Sequence, residues 1–188
     1  MKRQIFTLLL LALSFISFAQ NNKLQSLTKL NLEFQGIGLS YEPRLGNSAT
    51  IDLSAGIGIG GYDIQSGGFT YVVDATNPTA FVSITPKLYY NRSKRLARGK
   101  SIDVNSGNYI GFRLKYTSRG IAENTDIRDA LLFNVHWGIQ RAISNRWTFN
   151  THFGAGYGID ATDLSNSEGS IYPALDVKFS YILNKRKS

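Results

Sequence analysis

Residues 146–158 read Arg-Trp-Thr-Phe-Asn-Thr-His-Phe-Gly-Ala-Gly-Tyr-Gly. One alternate set is Trp147, Phe149, Thr151, Phe153, Ala155 and Tyr157; the other is Thr148, Asn150, His152, Gly154, Gly156 and Gly158. Neighbouring side chains on a strand point to opposite faces, so this alternation is strand periodicity with one greasy face. Residues 49–60 repeat it, with Ile51, Leu53, Ile57 and Ile59 against Asp52, Ser54, Gly56, Gly58 and Gly60. Residues 108–118 set Ile110, Phe112, Leu114 and Tyr116 against Tyr109, Gly111, Arg113 and Lys115. Residues 130–140 set Leu131, Phe133, Val135, Trp137 and Ile139 against Asn134, His136, Gly138 and Gln140. Such runs exceed the ~5–6 residues of ordinary strands. They match the ~9–11 tilted residues that cross a bilayer.

Residues 80–91 and 170–183 follow the same period but carry Pro86 and Pro173 on their apolar faces. A proline removes a ladder hydrogen bond, so both positions read as bulges or strand starts. Residues 29–42 change phase: Leu30, Leu32 and Phe34 are even, whereas Ile37, Leu39 and Tyr41 are odd. Either a bulge occurs at Gly36 and Gly38, or two strands meet there and the first begins near Lys23. In the second case residues 37–42 look too short to cross alone. Single-chain bacterial barrels use even strand numbers, so about eight strands are expected.

The face chemistry separates a soluble lipocalin-type barrel from a membrane one. A membrane barrel turns its apolar face to lipid and its polar residues to the lumen. Here the face opposite the apolar stripes carries Glu42, Asp52, Lys87, Arg113, Lys115, His136, His152, Asp176 and Lys178. A lumen network of paired ions suits that face better than a greasy ligand cavity. The expected class is all-β, a transmembrane antiparallel up-and-down β-barrel. Gly56, Gly58, Gly60 and Gly61 lie at strand period and read as small lumen positions that make room for opposing long side chains.

The remainder of the chain agrees. Lys2 and Arg3 precede an apolar run of about 14 residues ending at Phe18, and Ser17 and Ala19 supply a small-x-small cleavage site. Residues 1–19 therefore read as a cleaved signal peptide, too short for the ~20 residues of a spanning helix. Residues 20–188 form the barrel domain, and its expected location is the outer membrane. With no Cys among 188 residues, disulfide scaffolds, thiol nucleophiles and lipoprotein anchors are excluded.

Short turns at 43–48 and 141–145 read as periplasmic, and longer segments at 61–79, 119–129 and 159–169 as external. In that orientation Tyr41, Tyr90, Trp137, Trp147 and Tyr181 form a periplasmic-side aromatic girdle, and Tyr116 and Tyr157 an external one. The net charge of +8 then becomes a gradient along the barrel rather than a nucleic-acid-binding face. The periplasmic side holds Arg92, Lys94, Arg95, Arg98 and Lys100, a basic loop expected against lipid phosphates. The external loops hold Asp63, Asp74, Glu123, Asp126, Asp129, Asp160, Asp163 and Glu168, which could share divalent cations with anionic surface lipid.

No constellation rises to an active site. His136 and His152 face the lumen on adjacent strands and could be near neighbours, but two His without a third ligand are a weak metal signal. Ser54 and Ser180 face the lumen with no spacing that links them to a His. The 160–168 run lacks a Ca²⁺-loop signature, and the glycines form no phosphate loop. No catalytic residue, cofactor or metal site is expected.

Tyr41-Glu42-Pro43-Arg44-Leu45-Gly46, ahead of an alternating strand, resembles the YE-x-R-L turn of small outer-membrane β-barrel proteins of Bacteroidota. Pro86-Lys87-Leu88-Tyr89-Tyr90-Asn91-Arg92, Gly99-Lys100 and Asn105-Ser106-Gly107-Asn108-Tyr109 are similar to the middle of the same family. The resemblance implies an outer-membrane location and a small OmpA/OmpX-like eight-stranded barrel, and brings no activity. The chain departs from outer-membrane barrels in ending Asn184-Lys185-Arg186-Lys187-Ser188, without a terminal aromatic. Phe179 and Tyr181 stand slightly upstream for the outer-membrane assembly machinery. The functional expectation is a non-enzymatic barrel with a plugged polar lumen and a structural or surface-interaction role. The alternatives are a small passive pore and, behind it, a lipid-modifying outer-membrane enzyme.

Overall fold

The computed structural model describes residues 23–65, 68–120, 127–162 and 169–184. The leader at 1–19, the loop acids Glu123, Asp126, Asp163 and Glu168, and Lys185, Arg186 and Lys187 lie outside the described residues. The strands are β1 (Leu27–Glu33), β2 (Gly36–Glu42), β3 (Ala49–Gly58), β4 (Gly60–Gln65), β5 (Gly68–Val73), β6 (Thr79–Tyr89), β7 (Gly107–Thr117), β8 (Ala130–Ala142), β9 (Trp147–Asp160) and β10 (Gly169–Ile182). A short helix, α1 (Arg92–Ala97), and a 3-10 turn at Asp103–Asn105 follow β6. Eight strands close an antiparallel barrel in the order β1-β10-β9-β8-β7-β6-β3-β2, and β4 and β5 pair separately as a hairpin.

The alternation in the sequence is the alternation of the wall. Leu32, Ile57, Val135 and Phe153 stand outside and exposed, while Asn31, Asp52, His136 and His152 are buried inside. The phase change near Gly36 is a hairpin, not a bulge. Leu32 pairs with Ile37 and Glu33 with Gly36, leaving only Phe34 and Gln35 between the strands. Residues 36–42 thus stand as a strand of their own, short as they are, because β3 covers their other edge from Gly36 to Tyr41.

Neither proline makes a bulge or starts a strand. Pro173 pairs in register with Ala155, between Tyr172↔Gly156 and Ala174↔Gly154. Pro86 pairs with Ile51 on β3, and its cost falls on the other side, where the β6–β7 pairing lapses between Ile84↔Leu114 and Lys87↔Gly111. Gly60 and Gly61 also differ from expectation. They belong to the β4–β5 hairpin rather than to the barrel wall.

The wall is uneven in height. β1 ends where Glu33 meets Lys178, and Phe34 N–H then donates to Val177 O at 3.0 Å. Beyond that point the outer half of β10, residues 169–176, is paired on one side only, with β9. An edge tolerates a proline, and Pro173 lies in this stretch. The β4–β5 hairpin leans over the gap: Phe69 stacks on Tyr172 at 4.3 Å, and Tyr71 meets Phe34 at 5.7 Å.

We call the end holding the 43–48 turn, α1 and the 143–146 turn proximal, and the other end distal. At the proximal end Val104 and Asn105 adopt positive φ, 45° and 62°. This tucks the segment under the barrel, where Val104 packs with Leu27 and Ile182, and Leu24 with Tyr89 and Tyr109. Asn105 holds the incoming chain by both backbone groups of Gln25, accepting at 2.7 Å and donating at 2.9 Å. At the distal end Ile64 of β4 is buried against Ala130, Leu132, Tyr172 and Ala174.

Candidate functional site: the polar lumen

All nine residues expected in the lumen network point inward and lie at the barrel interior. Their pairing is specific. Lys29 donates to Glu42 at 2.6 Å and to Asp52 at 2.9 Å. Lys87 donates to Asp52 at 2.8 Å and lies 3.8 Å from Glu42. Two cations and two carboxylates thus form a closed, neutral box, the arrangement that buried charges require. Thr50, Tyr89 and Ser54 donate to the remaining carboxylate lone pairs at 2.9, 3.1 and 2.6 Å. Distally, Arg113 pairs with Asp176 at 3.0 Å and Lys178 with Glu33 at 2.9 Å.

Sequence reasoning missed Lys29, Glu33 and Gln35. The signal was present: with Leu30, Leu32 and Phe34 outside, the odd positions that alternate with them face in, Lys29 and Glu33 on β1 and Gln35 just beyond its end.

Lys115 is the exception among the lumen cations. It makes no ion pair among the described residues. Its ammonium donates to the Gln35 side-chain oxygen and stands 4.5 Å over the Phe81 ring.

The two histidines do meet. His136 and His152 stack at 3.9 Å with 26° between the rings. His136 Nδ1 lies 2.7 Å from Asn134 Oδ1, while His136 Nε2 and His152 Nδ1 have no hydrogen-bond partner among the described residues. No group of three or more His, Asp or Glu able to hold a metal occurs among the described residues. Ser54 is bonded to Asp52, not to a histidine.

Glycines make space for rings, as the strand period suggests. Gly56 faces the Phe81 ring, Gly138 faces Tyr109, Gly111 faces His136 and Gly156 faces Tyr172. These rings sit on the face read as polar. Tyr109 joins the network, donating to Asn150 at 2.9 Å, and Asn150 donates onward to Gln140 at 3.1 Å. Gln140 in turn donates to Val104 O at 2.9 Å, tying the lumen to the proximal segment.

The proximal basic loop divides in two. Arg92 is only 4% exposed. Its guanidinium donates to the carbonyls of Ile102, Ser106 and Lys23 at 2.9, 3.3 and 3.3 Å. Burial pushes that guanidinium down from its ordinary value. It is a brace, not the surface contact that its place in a charge run suggests. Lys94, Arg95, Arg98 and Lys100 instead line a surface cleft with Arg141, Tyr90 and Asn108.

The aromatic residues of the expected girdles stand on the outer face. Trp137 Nε1 donates to the Tyr90 hydroxyl at 2.6 Å, and Trp147 meets Tyr181 at 5.2 Å. Tyr41 is exposed at the same end, and Tyr116 and Tyr157 are exposed distally. No family model, curated protein or solved structure matches the chain.

Proposed function

We propose that this chain is an outer-membrane β-barrel with a plugged lumen and a non-enzymatic structural or surface-interaction role, exported by a leader at residues 1–19. The observation that carries the reading is an inside-out distribution. Leu32, Ile57, Val135, Phe153, Ile171 and Leu175 stand exposed around the barrel, while Lys29, Glu42, Asp52 and Lys87 are buried within it. Water penalises such an outer face and lipid rewards it. The paired aromatics Trp137–Tyr90 and Trp147–Tyr181 fit the headgroup level at the proximal, periplasmic end.

The same residues support a closed lumen. The ion box crosses the interior, Val104 and Leu24 pack beneath it, and Ile64 and Tyr172 pack above it. Inner-leaflet phosphates are the natural partners of the cleft around Lys94, Arg95, Arg98 and Lys100. Divalent cations are proposed partners of the acidic distal loops, and the resemblance of residues 41–46 to Bacteroidota barrels accords with this location.

The test is gel mobility of the outer-membrane fraction with and without boiling, because a folded barrel runs faster than its boiled form. Absence of a shift, or recovery in the soluble periplasm, would overturn the reading. Planar-bilayer recording then addresses the plug: a silent trace is expected, and discrete conductance steps would replace the plug by a pore.

A further inference from the structure

We propose that the gap between β10 and the β1–β2 tip is a lateral binding site for one long-chain fatty acid, its carboxylate held by Lys115 and Gln35. The inference rests on the membrane reading above. Three features carry it.

The first is the missing wall. Past Val177 no barrel strand covers β10 on its β1 side. What fills that place is an apolar cleft of about 360 Å³, lined by Phe34, Tyr62, Phe69, Tyr71, Leu175 and Val177 among others. That volume is within the ~300–1,000 Å³ of small-molecule sites. The cleft opens on the lipid-facing side, where Phe34 is 66% and Leu175 70% exposed. A hydrocarbon chain leaving the bilayer sideways would enter here without crossing water.

The second is the unmatched charge at the inner end. Glu33, Glu42, Asp52 and Asp176 are all engaged by Lys178, Lys29, Lys87 and Arg113. Lys115 is 6% exposed and left over, and Gln35, 4% exposed, has a side-chain nitrogen with no partner among the described residues. Both line a second, smaller cavity that shares Phe34, Tyr62, Tyr172, Leu175 and Asp176 with the cleft. Lys115 has the Gln35 oxygen as a neutral acceptor but no counter-charge, and with the unpartnered Gln35 nitrogen beside it the pair calls for an anion. The Asp176 carboxylate on this lining is already paired with Arg113.

The third is size. The inner cavity is only about 40 Å³. One water needs ~10–15 Å³ of such space, so the inner cavity admits a small head group such as a carboxylate. One cleft takes one chain, which excludes a two-chain phospholipid.

The experiment uses the chain purified from membranes, placed in phosphatidylcholine nanodiscs and titrated with radiolabelled palmitate. Saturable binding at one palmitate per chain is expected, with hexadecanol a poor competitor. Lys115→Met should weaken binding by about tenfold or more. Val177→Trp, which fills the cleft from the outside and leaves Lys115 in place, should abolish it. Non-saturable partitioning, equal competition by hexadecanol, or undiminished binding by either variant would overturn the proposal. Each variant is first checked for the heat-dependent gel shift. A wild-type chain without that shift fails the barrel reading itself; one that shifts but does not take up palmitate fails only this inference.

Discussion

The Tyr109 ring lies directly over Gly138, the residue paired with it across β7 and β8. A methyl group at 138 would come 2.5 Å from the tyrosine hydroxyl. The ring is buried and its hydroxyl is bonded to Asn150, so it has nowhere to go. Gly138→Ala should therefore destabilise the barrel by about 1–3 kcal/mol, the usual cost of overpacking. Tyr109→Leu combined with Gly138→Ala should recover part of that loss. Urea unfolding followed by tryptophan fluorescence reads both, and an unchanged midpoint for Gly138→Ala would count against a tight lumen.

The box of Lys29, Lys87, Glu42 and Asp52 leads to a second expectation. Lys29→Met leaves two carboxylates facing one cation, and breaking a buried pair from one side costs ~3–5 kcal/mol. Lys29→Met with Glu42→Gln removes one charge of each sign and should be less damaging than the single change. The same unfolding assay ranks the two. A double variant worse than the single would mean that the box acts through packing rather than charge.

How far the sequence reaches is seen best at residues 27–42. Each side of an antiparallel hairpin keeps its own outward parity, so a two-residue loop turns an even stripe into an odd one. Leu32 and Phe34 before Gly36, and Ile37 and Leu39 after it, are that signature. The lumen was legible for a related reason: inward positions are set by the period alone. Other features are non-local. Nothing near Val104 and Asn105 announces positive φ, which is stabilised by Gln25 and Gln140 from distant parts of the chain. Arg92 looks like its neighbours Lys94 and Arg95 until its three carbonyl partners come together in space. The gap beside Pro173 depends on where β1 stops relative to β10, a matter of register between the two ends of the chain.

The basic loop should split by experiment as it does by burial. Arg92→Ala removes the donor to Ile102, Ser106 and Lys23 and leaves the buried Ser106 carbonyl without it. A buried group left unmet costs ~1–3 kcal/mol, so thermal unfolding should occur at lower temperature. Neutralising Lys94, Arg95 and Arg98 together should leave unfolding unchanged and weaken association with anionic liposomes. If Arg92→Ala alone reproduced the liposome defect at unchanged stability, the brace assignment would fail.

The distal hairpin offers the last test. Phe69 stacks on Tyr172 with rings 10° apart, and Tyr62 packs beside Phe69 at 5.2 Å. Aromatic pairs contribute ~0.5–1.5 kcal/mol beyond the area they bury. The hairpin has no strand neighbour in the barrel, and Tyr62 is held further by its bridge to Arg128. Phe69→Ala should therefore loosen the hairpin and leave the eight-stranded wall intact, since no barrel pair includes Phe69. Brief proteinase K treatment of intact cells, followed by gel analysis without boiling, separates these effects. Faster cleavage within residues 59–78 and an unchanged heat-dependent shift are expected. Loss of the shift itself would mean that the hairpin is needed to close the barrel rather than resting upon it.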